Sequence, residues 1–219
     1  MPWAVGTSLS DPTGWAPVYR TRTLSNRAMK RPVIIIAGLL TAAALVVGIV
    51  QTQESTTERP AGDVPGLAEA RAQLAGAPEP LAKIHEQANQ LLPIEEFEPR
   101  LESLRGYPVV VNVWGSWCRP CREEFPILQR VSAKLGKRVA FLGIATQDAE
   151  DDTRKFLAER PLTYPSFMDF QGETADKLGV IGAPAMIFYD VNGERAYFHQ
   201  GIYRSDEDLI RDIERYLLA

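Results

Sequence analysis

Residues 109–126 read VVVNVWGSWCRPCREEFP, joining an apolar, β-branched run to a pair of cysteines and then to a helix-like segment. Val109 to Trp114, led in by Pro108, has the short apolar pattern of a strand buried on both faces. Cys118 and Cys121 are the only cysteines among 219 residues. A C-x-x-C pair between a strand and a helix predicts a redox-active dithiol. At a helix N-terminus the first thiolate is stabilised by unpaired backbone N–H groups and the positive end of the helix dipole. The second cysteine, one turn later, is within reach of a mixed disulfide on the first. Pro120 suits the first turn, where no N–H is needed.

Two other uses of the pair are weaker. A zinc site normally needs four ligands, and the chain offers only His85 and His199, far apart in sequence. A purely structural bridge closing so short a loop stabilises little. His85 reads as a surface helix residue and His199 as a structural one.

Downstream, residues 118–135 continue as a helix with Pro126 expected to kink it. Residues 138–145 (RVAFLGIA) form a second buried strand, and the acidic run Asp148 to Asp152 opens a helix through about Arg160, reading as a capping feature. Residues 162–168 form a short strand and residues 173–178 a short helix. Residues 185–189 and 195–199 flank Asn192-Gly193 as a hairpin, and Ser205 caps a terminal amphipathic helix over 206–218. Upstream, residues 67–92 give two helical stretches broken at Gly76-Ala77-Pro78, the second carrying Leu81, Ile84, Ala88, Leu91 and Leu92 on one face. Phe97, Leu101 and Leu104 continue a helical segment. Alternating strands and helices followed by a hairpin imply an α/β fold with a mixed sheet and helices on both faces.

Val33 to Val50 is 18 residues without a charge, about the minimum for a membrane-spanning helix. Arg20, Arg22, Arg27, Lys30 and Arg31 precede it, so the positive-inside rule keeps residues 1–32 in the cytoplasm and exports the rest. An uncleaved single-pass anchor is the expectation and a cleaved signal peptide its rival; both export the downstream domain. From Gln51 onward the chain carries 19 Lys+Arg and 27 Asp+Glu, a net of −8, which excludes a nucleic-acid footprint. Disulfides persist outside the cytosol, yet this part has no cysteine beyond the one pair, which is therefore free to cycle. The expected organisation is a cytoplasmic segment (1–32), a transmembrane helix (33–50), a linker (51–66), a helical extension (67–94) and a catalytic domain (95–219).

The run VVVNVWGSWCRPCREEFP, followed by FLGIA and later by Gly182-Ala183-Pro184 before a strand, resembles the membrane-anchored TlpA/ResA-type thioredoxin-like disulfide oxidoreductases over about residues 95–219. The resemblance implies a thioredoxin fold and a site in which Cys118 is the exposed nucleophile and Cys121 the buried resolving thiol. Trp117 would cover the site and contact the partner, while Trp114 packs. Pro184 matches the family's cis-proline, with Ala183 before it offering backbone groups to an extended substrate; Ala185 stands where the family commonly has threonine. Asn112 takes the place of thioredoxin's buried aspartate, and Glu124 matches a glutamate three residues after the second cysteine in the ResA-like members; one turn beyond Cys121, it is expected to shuttle that thiol's proton. Its carboxylate would raise nearby thiol pKa values by repulsion, whereas Arg119 would favour the Cys118 thiolate; Arg119 and Pro120 lie where substitutions tune the potential.

By the same resemblance, the protein reduces protein disulfides, with apocytochrome c among such substrates, and draws electrons from a membrane donor. No metal or organic cofactor is expected. The alternatives are a disulfide-installing oxidant, a thiol peroxidase of related fold and a copper-binding chaperone.

Overall fold

The computed structural model describes residues 63–219. The expected cytoplasmic segment, the membrane helix at 33–50 and the linker up to residue 62 lie outside the described residues. Among the described residues, no helix is long and apolar enough to cross a membrane.

Six strands form one sheet in the order β1-β4-β3-β2-β5-β6. They are β1 (Leu91–Pro93), β2 (Val109–Trp114), β3 (Ala140–Thr146), β4 (Ser166–Asp169), β5 (Ala185–Tyr189) and β6 (Arg195–Gln200). Strands β1 to β4 run parallel, and β5 and β6 are antiparallel to them. The helices are α1 (Leu67–Leu74), α2 (Glu79–Glu86), α3 (Phe97–Ser103), α4 (Arg119–Leu135), α5 (Glu150–Glu159), α6 (Glu173–Lys177) and α7 (Asp206–Leu217). This is the α/β, mixed-sheet architecture that the element order predicts and the thioredoxin-like fold that the resemblance implies.

Strand β2 sits at the centre because every one of its side chains is apolar or can be buried. Alternate residues serve opposite layers. Trp114 meets Phe125 of α4 edge-on at 4.9 Å and Phe156 of α5 at 5.2 Å, so α4 and α5 cover one face. On the other face, Phe167 of β4 meets Phe97 of α3 at 5.5 Å. The buried Trp114 indole N–H donates to Ser166 Oγ. Trp114 is therefore the packing residue the sequence predicts.

One local expectation is corrected. The second upstream helix ends at Glu86, and Leu91 and Leu92, placed by periodicity on its face, belong instead to β1, paired with β4. Asn89 makes the break: its φ is +63°, its side-chain amide donates to Leu157 O, and its Oδ1 accepts from Leu162 N. The sheet thus begins upstream of residue 95, and Leu81 and Ile84 of α2 join the same hydrophobic core as the central strands. Helix α4 runs from Arg119 to Leu135 with Pro126 inside it.

Candidate active site

The C-terminal end of β2 delivers the chain to Gly115, Ser116, Trp117 and Cys118. Cys118 is the N-cap of α4, with its sulfur accepting from Cys121 N at 3.2 Å. Arg119 and Pro120 open the helix, so proline falls where the missing N–H costs nothing. Cys118 and Cys121 form a disulfide, with Cα atoms 5.3 Å apart. The expectation of an exposed nucleophile needs correction in this oxidised state: Cys118 is only 3 % exposed and Cys121 is fully buried. Trp117, 53 % exposed, is the large apolar side chain at the surface beside them. Its indole N–H donates to Thr146 O at 3.3 Å. A Cβ on Gly115 would lie 2.5 Å from that indole nitrogen, so only glycine lets the ring fold back there.

Because β5 runs antiparallel to β2, with Ala185 opposite Val113, its start lies at the cysteine end of the sheet. The Ala183–Pro184 peptide is cis. Gln200 donates to the carbonyls of Gly182 and Pro184, flanking Ala183, and Gly201 N donates to Pro184 O.

Glu124 lies one turn beyond Cys121 on the buried side of α4, fully out of solvent. Its Oε1 accepts from Tyr203 N at 2.7 Å, and Oε2 has no partner. Burial pushes this carboxyl up to about 8, against the lowering effect of the Tyr203 N–H. At neutral pH the group is therefore largely protonated, and the like-charge repulsion expected of it toward the thiols is mostly absent. Asn112 is buried beneath this region in β2, and neither side-chain polar atom has a partner.

Arg119 pairs with a carboxylate on its own helix. Its guanidinium is 90 % exposed and lies 3.5 Å from Glu123 on the next turn. His199 stacks on Tyr203 at 4.1 Å. His85 departs from the surface position expected of it: half-buried, it is lowered in pKa chiefly by desolvation. Among the described residues, no group of three or more His, Cys, Asp or Glu side chains is arranged to hold a metal ion.

Sequence reasoning missed three contributors. Helix α5 starts at Glu150, leaving Asp148 outside the first turn; it is buried and accepts from Ser116 N at 2.5 Å and Ser116 Oγ at 2.8 Å. Arg122 donates to Ser116 O from Nε and Nη2, at 3.1 and 2.7 Å. Tyr203 carries the N–H that holds Glu124, and its hydroxyl donates to Asp212. The acidic run at 148–152 was the available signal, but capping explained it equally well.

Comparison with known proteins finds a family match that spans this site. The family described as AhpC/TSA matches residues 90–198. The thiol-disulfide oxidoreductase ResA of Geobacillus kaustophilus is 30 % identical over 128 residues, covering 58 % of this chain and 71 % of the relative. The thiol:disulfide interchange protein DsbE of Pseudomonas fluorescens biotype C is 40 % identical over 91 residues, covering 41 % of this chain and 49 % of the relative. This chain thus spans about half the length of the latter. A solved DsbF homologue from Corynebacterium diphtheriae is 32 % identical, with a TM-score of 0.48, covering 52 % of this chain and 75 % of that one.

Proposed function

The chain belongs to the thioredoxin-like AhpC/TSA family and to its ResA-type thiol-disulfide oxidoreductases, and from that premise we propose a membrane-tethered reductase of protein disulfides working outside the cytoplasm. It is an enzyme of thiol-disulfide exchange, with protein thiols as its substrate class. The tether in this reading is Val33 to Val50, and the exported acidic part bears the site.

In the reducing direction Cys118 loses its proton and attacks one sulfur of a partner disulfide. A Cys118–partner bond forms, the partner's S–S bond breaks, and the departing sulfur takes up a proton. Cys121 then loses its proton and attacks Cys118 Sγ, closing the 118–121 disulfide and releasing the second partner thiol. Two electrons and two protons have passed to the partner. A membrane dithiol donor returns the enzyme to its reduced state. Trp117 and the Ala183–Pro184 turn contact the partner in this reading, apocytochrome c being one such partner, and Arg119 and Pro120 tune the pair.

The observation that carries the proposal is the buried Glu124 carboxyl one turn behind the cysteine pair. Its pKa of about 8 lets it exchange a proton close to neutral pH, as a proton relay requires. The ionised minority of Glu124 at neutral pH is the base that accepts the Cys121 proton in the resolving step, a share that grows as pH rises toward 8.

The test is the reduction potential of the purified protein against a dithiol buffer. A value near or below about −250 mV supports a reductant, whereas one near about −120 mV makes the protein an installer of disulfides and overturns the reading. Resistance of the native protein to alkaline extraction from membranes tests the tether.

A further inference from the structure

Ser116, two residues before Cys118, is gripped at every polar atom it has. Its N–H and hydroxyl both donate to the Asp148 carboxylate, and its carbonyl accepts from the Arg122 guanidinium. The Asp148 side chain also accepts from Ala149 N at 2.9 Å. Ser116 and Asp148 are both buried. The residue before Asp148 is Gln147, with φ at +49°, a left-handed conformation that is unfavourable for a side chain of this kind. Gln147 N is fastened to Asp169 O, and the neighbouring Thr146 O holds the Trp117 indole. The connection between β3 and α5 is thus bent in a way that brings a carboxylate against the turn leading into the cysteines. Ser116, Trp117, Arg122 and Asp148 all line one cavity of about 480 Å³.

We propose that Asp148 is a positioning residue for Cys118: by holding Ser116, it fixes the turn that keeps the Cys118 sulfur at the N-terminus of α4. The inference rests on Cys118 being the attacking sulfur. Its physical basis is the short range of the helix-end field, which falls off within the first turn. The Cys118 sulfur meets the Cys121 N–H at 3.2 Å only while the preceding turn is held. A loosened turn withdraws the sulfur from that amide and from the line of attack. Asp148 matters more than Arg122 because it holds two of the three atoms of Ser116 and is itself buried. The charged and titratable groups around Cys118 are Arg119, Cys121, Arg122, Glu123 and Glu124 on α4, and Asp148 from the β3–α5 connection. The segment 179–184 carries none.

The experiment is iodoacetamide alkylation of the reduced full-length protein from pH 5 to pH 9, with the modified cysteine identified by mass spectrometry. Wild type, Asp148→Asn, Ser116→Ala and the double variant are compared, with Ser116→Thr restoring the hydroxyl. Loss of the grip raises the Cys118 titration midpoint by about one unit and slows its alkylation at pH 7 about tenfold. Ser116→Ala, which removes only the hydroxyl bond and keeps the backbone N–H bond, shifts less than Asp148→Asn. The double variant shows no more than Asp148→Asn alone, because the hydroxyl acts through Asp148, and Ser116→Thr recovers most of the rate lost in Ser116→Ala. Should Asp148→Asn fail to fold, the Ser116→Ala and Ser116→Thr pair carries the same comparison. An unchanged midpoint with a lowered Tm would mean support of the fold alone and overturns the inference. A lowered midpoint would mean that Asp148 acts only as a nearby negative charge, which also overturns it. Faster modification of Cys121 than Cys118 in wild type would remove the premise itself, a result distinct from either.

Discussion

Tyr203 N donates to Glu124 Oε1 at 2.7 Å, joining residues 79 apart in sequence. The contact ties the segment entering α7 to a carboxyl buried behind the cysteine pair. It satisfies one oxygen and leaves the other without a partner, so desolvation outweighs the hydrogen bond and the acid is weakened to a pKa of about 8.

That imbalance sets a pH dependence. In the unfolded chain Glu124 ionises near pH 4.5, whereas in the folded protein it holds its proton until about pH 8. Between those values folding takes up a proton, so stability falls as pH rises, by up to about 1.4 kcal/mol per unit. Glu124→Gln removes this slope. The variant's Tm should gain on wild type steadily from pH 5 to pH 8 and no further above it. Parallel Tm curves for the two proteins would show that the carboxyl is not held protonated.

In the proposed mechanism Cys121 resolves the mixed disulfide formed on Cys118. Cys121→Ser should accumulate a covalent complex with a disulfide-bearing partner, visible on a non-reducing gel, while Cys118→Ser forms none. Complex formation by Cys118→Ser would reverse the order assigned to the two sulfurs.

Trp117 is half-exposed and its ring leans on Thr146 rather than into the core. Trp117→Ala should raise KM for a protein disulfide about tenfold and change stability by less than about 1 kcal/mol. Steady-state kinetics alongside urea unfolding separates these. A large stability loss with unchanged KM would make it a packing residue.

Leu81 tests whether the upstream helices belong to the domain. It is fully buried in the common core, so Leu81→Ala should cost about 2–5 kcal/mol of unfolding free energy. A change below about 0.5 kcal/mol would mean that α2 is only loosely attached.

Much of this architecture is written locally. The β2 run, the C-x-x-C spacing with Pro120 in the first turn, the turn at Asn192-Gly193 and the Ser205 cap are each readable from a few neighbouring residues. Each appears where expected: Asp190 Oδ1 accepts from Asn192 N and Glu194 N, and Ser205 Oγ accepts from Asp208 N. Period, cap and turn chemistry act over one helical turn or one hairpin, so a short window contains their cause.

The sequence by itself determined the mixed α/β order, the dithiol and its place at a helix start. Tertiary structure alone decided the rest. Leu91–Pro93 became a strand only because β4 offers it a partner; three residues carry too little pattern to compete with a helical reading. Asp148 became a ligand of Ser116 because a left-handed residue, Gln147, brings it to a turn 32 residues earlier in the chain. Glu124 became a weak acid because α4 buries it while Tyr203 supplies one N–H and nothing meets its second oxygen. Pairing, desolvation and the supply of hydrogen-bond partners depend on groups far away in sequence, so their outcome exists only once the chain has closed on itself.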